Sequence, residues 1–169
     1  HRVLHSFPTR RSSDLGNVSG FGVLTRNRAK AGLGFGGHYR VCDFALSNLS
    51  NSGIQEVGLL IQYLPGSLMG HVGSGRWWDL EGGERIFKLM PPFMGFGETN
   101  WFKGTADSIY RNMDFIEGSN ADHVLILSCE HVYSMNFGSL VASHIERQAA
   151  ASLVVTRLEP HRCSKRFGY

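Results

Sequence analysis

The sequence predicts an α/β fold, a mixed, mostly parallel sheet with helices on both faces. Two observations predict it. Short, nearly continuous apolar runs of buried-strand type alternate with segments of helical period. The connections between them are short, as in parallel sheets built from crossover units. No internal repeat and no linker divides the chain.

The elements follow in order. Residues 1–15, HRVLHSFPTRRSSDL, are polar, rich in Arg and Ser, and carry neither helical nor strand periodicity. Part of this stretch resembles an in-frame translation of a sequencing-library adapter. It is expected to be a non-native or disordered leader and is set aside. Residues 16–38 read as a Gly-rich loop. Asp43 can cap a helix running to about Asn51, with Phe44, Ala45, Leu46 and Leu49 as its apolar positions. Gly53 ends it. Residues 56–62, EVGLLIQ, predict a buried strand. A short helix is expected at 65–73. Residues 85–90, RIFKLM, alternate like a strand and stop at Pro91-Pro92. A Gly-rich loop carrying Trp101 follows. A helix is then expected from Thr105 to about Glu117, burying Ile109, Met113 and Ile116. Residues 123–128, HVLILS, predict a buried strand, residues 137–148 a helix, and residues 151–158, ASLVVTRL, a further strand.

Composition bounds the function. The chain has 169 residues, 42% of them hydrophobic and 18% charged, enough for a packed core. The formal charge of +3 falls to +1 without residues 1–15, so no basic stripe for nucleic acid remains. No apolar run approaches the roughly 20 residues of a membrane span. Cys42, Cys129 and Cys163 are far apart, make no zinc spacing, and suit a reduced, cytoplasmic setting. In open α/β sheets ligands bind beyond the carboxyl ends of the strands. That rule points to Gln62 and to the cluster Ser128, Cys129, Glu130 and His131.

Four blocks carry a resemblance. They are NRAK (27–30), FGGHYRVCDFALSNLSNSGI (35–54), NWFKGTADSIYRN (100–112) and HVLILSCEHVY (123–133). The order and content of these blocks resemble the N-terminal half of bacterial glucose-1-phosphate adenylyltransferases. The resemblance implies a Rossmann-like nucleotide-diphospho-sugar transferase domain over residues 16–169, truncated, with the family's C-terminal left-handed β-helix absent. It implies a reaction of ATP with glucose 1-phosphate, using Mg²⁺, to give ADP-glucose and pyrophosphate for glycogen or starch synthesis. It also implies a homo- or heterotetramer in the full-length protein.

The resemblance assigns roles residue by residue. Lys30 matches a phosphate-contacting lysine, and Glu130 stands where the family carries a metal-holding Asp. Gly16 falls in the phosphate loop. Gly104, Thr105, Ala106 and Asp107 match the G-T-A-D segment that contacts the nucleotide. Arg28, Gln62 and Trp101 match positions tied to regulation. Thr105 is also expected to cap its helix, with Asp107 easing the helix dipole.

Departures accompany these matches. Glu130 is one methylene longer than Asp, and Mg²⁺ demands near-ideal geometry. Cys129 and Val18 replace glycines, Gly20 replaces an arginine, and Asn27 replaces a lysine found in some members. Two readings therefore stay open. One is a working adenylyltransferase with a divergent site. The other is a catalytically impaired regulatory subunit that binds nucleotide and assembles with active subunits.

Overall fold

The computed structural model describes residues 2–6, 21–92, 101–119 and 121–162. Its backbone divides into two compact units, residues 1–137 and 138–169. The first unit is built on a four-stranded, all-parallel sheet.

Two strands of the sheet form where their apolar patterns predict them. β4 (Glu56–Leu60) is buried from Val57 onward, as a strand covered on both sides must be. β5 (Ile86–Met90) pairs parallel with it, Glu56 opposite Ile86 through Leu60 opposite Met90. The strand order is β5-β4-β1-β6, with β1 at Arg2–Ser6 and β6 at Val124–Leu127. β1 lies parallel to both neighbours, Arg2 facing Glu56 on one side and Val124 on the other.

Two small strands, β2 (Gly34–Phe35) and β3 (Tyr39–Arg40), form a separate antiparallel hairpin. It leads into helix α1 (Val41–Asn51). α1 buries Cys42, Ala45, Leu46 and Leu49 completely. α2 (Pro65–Val72) opens with Pro at its first position, where a missing N–H is harmless. Then come α3 (Thr105–Tyr110), α4 (Met113–Glu117) and α5 (Phe137–Glu146).

Several expectations change. Residues 2–6 form a strand despite their polar composition, because a strand's place in a ladder is set by backbone N–H and C=O groups as well as by side chains. The helix at 43 begins earlier, at Val41. Asp43 is not its cap but its third residue, and accepts the Arg40 backbone N–H at 2.9 Å. The single helix at 105–117 is two. Asn112 leaves helical geometry and donates its side-chain N–H to the Ser108 carbonyl at 2.7 Å, a local bond that competes with the helical ladder. Ile109, Phe115 and Ile116 pack on Leu60, Met90 and Phe102, so Phe115 takes the place expected of Met113. Among the described residues β6 is an edge strand, with alternating exposure rather than full burial, Val124 and Ile126 facing outward.

Residues 151–158, in the second unit, form no strand. Leu153 and Val155 are more than four-fifths exposed. Their apolar, β-branched composition is strand-like, but a strand needs a neighbour to satisfy its backbone, and this segment has none among the described residues. Within the same unit His144 Nδ1 meets the Ser152 hydroxyl at 2.9 Å.

One glycine is dictated by its surroundings. Gly75 has φ +82°, and a Cβ there would lie 2.9 Å from Phe87 Cγ and 3.1 Å from Leu80 Cβ. Gly75→Ala combines left-handed strain with overpacking against a strand of the sheet. It is expected to destabilise the protein by about 2–4 kcal/mol, seen as a lower denaturant midpoint. An unchanged midpoint would refute this.

Candidate active site

Lys30 sits in a 3₁₀ turn, Lys30–Gly32, closed by Leu33 N–H donating to the Lys30 carbonyl at 3.0 Å. Ala31 is fully buried, which anchors the turn and leaves the lysine side chain about a third exposed. Glu130 follows the carboxyl end of β6, where its backbone N–H donates to the Ser128 hydroxyl at 3.3 Å. The fold brings these two together across 100 positions: Lys30 Nζ lies 3.4 Å from Glu130 Oε2. Such a long, partly exposed ion pair contributes little to stability. Its chemical value is a cation and a carboxylate held side by side at the carboxyl end of a parallel strand.

The Glu130 loop is fastened from below by α1. Asn48, 6% exposed, donates to the Tyr133 carbonyl at 3.0 Å and accepts the Met135 N–H at 3.2 Å. Ser52 accepts the Phe137 N–H at 2.9 Å. Sequence reasoning missed Asn48. Its signal was a polar residue on the helix's apolar stripe, four after Phe44 and three after Ala45.

Cys129, beside Glu130, is completely buried. Burial, then the proximity of Cys42, Glu130 and Asp43, holds its thiol well above the ordinary range. It stays protonated and is not a nucleophile.

A second group gathers around residue 102. Gln62, just past β4, donates to the Phe102 carbonyl at 3.4 Å and accepts the Phe102 N–H at 2.6 Å. The glutamine thus fixes the backbone next to Trp101, whose ring is half exposed. Gly104 precedes α3 with an extended backbone, and no side chain caps the helix, so Thr105 does not play that role. Asp107 reaches back past the helix start, its carboxylate accepting the Lys103 N–H at 2.8 Å and pairing with Arg111 Nε at 3.0 Å. Ala106 is exposed in the first turn of α3. Arg28 is exposed, and Gly16 lies outside the described residues, as do Val18, Gly20 and Cys163.

The Lys103 N–H bond, followed by the Arg111 side chain, lowers the Asp107 pKa below its ordinary 3.8. A carboxylate lowered by folding stabilises the folded state above its unfolded value, and that support fades as pH falls through the folded value. The start of α3 is therefore expected to loosen only in acid below 3.8. The Lys103 amide resonance followed against pH checks this, and Asp107→Asn should abolish the step. A step that persists in that variant would assign it to another group.

Among the described residues no helix is long and apolar enough to cross a membrane. The chain is 43% identical over 153 residues to a glucose-1-phosphate adenylyltransferase of Thermotoga maritima, covering 90% of this chain and 36% of that protein. It is 44% identical over 153 residues to proteins of the same name from Clostridium perfringens (strain 13 / Type A) and Clostridioides difficile, in each case covering 90% of this chain and 39% of the relative. The chain thus spans well under half the length of these curated relatives. The family model for nucleotidyl transferases matches residues 21–169, which takes in both halves of the Lys30–Glu130 pair, the Gln62 clamp and α3. With that match over most of its length, the chain belongs to the nucleotidyl transferase family.

Proposed function

We propose that this chain is part of an adenylyltransferase that makes ADP-glucose and pyrophosphate from ATP and glucose 1-phosphate, in the cytoplasm, for glycogen or starch synthesis. The observation that carries the reading is the Lys30–Glu130 pair beside the carboxyl end of β6, in a chain 43–44% identical to relatives of that name.

The chemistry asks for such a pair. A phosphate oxygen of the sugar phosphate attacks the α-phosphorus of ATP, and the bond to pyrophosphate breaks. Negative charge must be neutralised on the leaving group throughout. Lys30 supplies a cation for that charge, turning from Glu130 to the phosphates when they arrive. Glu130 offers a hard carboxylate oxygen, 21% exposed at its side chain. That donor fits Mg²⁺, which is commonly held by one or two carboxylates plus waters and substrate phosphates. When bound, Mg²⁺ would supply charge neutralisation on the phosphates. In this reading Gly16 and the segment Gly104, Thr105, Ala106 and Asp107 approach the nucleotide. Gln62 and Trp101, joined through Phe102, form with Arg28 the regulatory part of the site. The doubly covered sheet, the β-helix and a homo- or heterotetramer belong to the full-length protein.

A second reading is favoured by the departures at Glu130, Val18 and Gly20: a regulatory subunit that binds ATP without turning it over. Pyrophosphate release by the complete protein, with ATP, glucose 1-phosphate and Mg²⁺, separates the two. Turnover establishes the enzyme. No turnover with calorimetric ATP binding establishes the regulatory subunit. Absence of both defeats the proposal.

A further inference from the structure

Cys42, Asp43 and His71 meet where the first turn of α1 faces the last turn of α2. One ligand atom from each lies within 4.8 Å of the other two. Asp43 Oδ1 is the centre, 2.7 Å from His71 Nε2 and 3.3 Å from Cys42 Sγ. Cys42 is fully buried and Asp43 nearly so.

The group is held in place from outside. The Arg40 N–H occupies Asp43 Oδ2 at 2.9 Å, which leaves Oδ1 to face the histidine and the thiol. Arg40 Nη1 donates to the Ser67 carbonyl at 2.5 Å and to its hydroxyl at 3.0 Å, tying the two helices together. The His71 ring packs edge-on to Trp78, with ring centres 5.9 Å apart. Outer contacts of this kind are what orient metal ligands.

We propose that Cys42, Asp43 and His71 form a binding site for a thiolate-accepting divalent transition metal, Zn²⁺ above all, separate from the Lys30–Glu130 pair. The donor set is one sulfur, one nitrogen and one oxygen, the three ligand types of protein zinc sites. Tetrahedral zinc with bonds of about 2.0–2.3 Å separates its ligands by roughly 3.3–3.6 Å. The sulfur–oxygen distance already matches, and the oxygen–nitrogen pair must open by about 0.6 Å. On binding, the Cys42 S–H bond breaks, its proton passes to solvent, and a sulfur–metal bond forms. Thiolate, carboxylate, neutral imidazole and a divalent ion then sum to zero charge, the condition a buried site requires. Soft sulfur selects against Mg²⁺, which favours oxygen donors. Three protein ligands leave the fourth position to water.

The test is cobalt(II) chloride titrated into the reduced, metal-free chain. The expected result is a near-ultraviolet thiolate-to-cobalt charge-transfer band, saturating at one equivalent and bleached by zinc chloride. Cys42→Ser should abolish the band. It should also weaken cobalt binding by more than the roughly 10–100-fold that outer contacts are worth. The double variant Cys129→Ser, Cys163→Ser should keep both properties. Far-ultraviolet circular dichroism confirms folding in each case. If Cys42→Ser does not fold, His71→Ala decides, with cobalt affinity expected to drop to the same degree. No band in the parent chain, a band that survives in folded Cys42→Ser, or unchanged affinity in His71→Ala overturns the site. None of these outcomes depends on adenylyltransferase activity.

Discussion

Lys30→Met in the complete protein is expected to reduce turnover about 100- to 1,000-fold, the usual loss when one positioned charge at a reacting centre is removed. Stability should hardly move. The pair it breaks is 3.4 Å long and partly exposed, and such pairs are worth about 0–1 kcal/mol. The two readouts therefore diverge, and that divergence marks a catalytic lysine rather than a structural one. Initial rates of pyrophosphate release, set beside a denaturant titration of the same variant, check both. Turnover within a factor of a few of the parent would remove Lys30 from the mechanism. A large stability loss would recast it as a structural cation.

Asn48→Ala should give the opposite pattern. The substitution leaves the Tyr133 carbonyl and the Met135 N–H without their side-chain partner. A buried polar group stranded in this way costs about 1–3 kcal/mol, so a loss of about 2–4 kcal/mol is expected. Asn48→Asp is no remedy, because it sets a carboxylate oxygen against the Tyr133 carbonyl. The damage should be local first, with amide hydrogen exchange rising across residues 129–136 before the sheet opens. A loss under about 0.5 kcal/mol would mean that water replaces the asparagine at no cost.

The sequence made some of this visible and hid the rest for identifiable reasons. β4, β5 and α1 were legible because one apolar pattern decided each, a continuous run, an alternation and a helical stripe. Residues 151–158 carried the same kind of pattern and formed no strand, because composition states a preference while pairing needs a partner. β1 showed the converse, with no pattern of its own and yet two neighbours. The break at Asn112 was hidden because it depends on a single side-chain bond. At the site, resemblance picked out Lys30 and Glu130 separately. Their contact is a property of the fold, since they stand 100 positions apart in the chain. Spacing along the chain likewise gave no sign that His71 approaches Cys42 and Asp43.

The central place of β1 has a consequence for how the molecule assembles. β4 and β5 are near neighbours in the chain and can pair early. β1 must wait for Val124–Leu127 before its second side is satisfied. A sheet completed by its most distant partner folds slowly, because loop closure precedes any gain from the contact. Until residues 124–127 are made, the backbone of residues 2–6 is thus paired on one side only. For that interval it offers a bare strand edge to any other nascent chain.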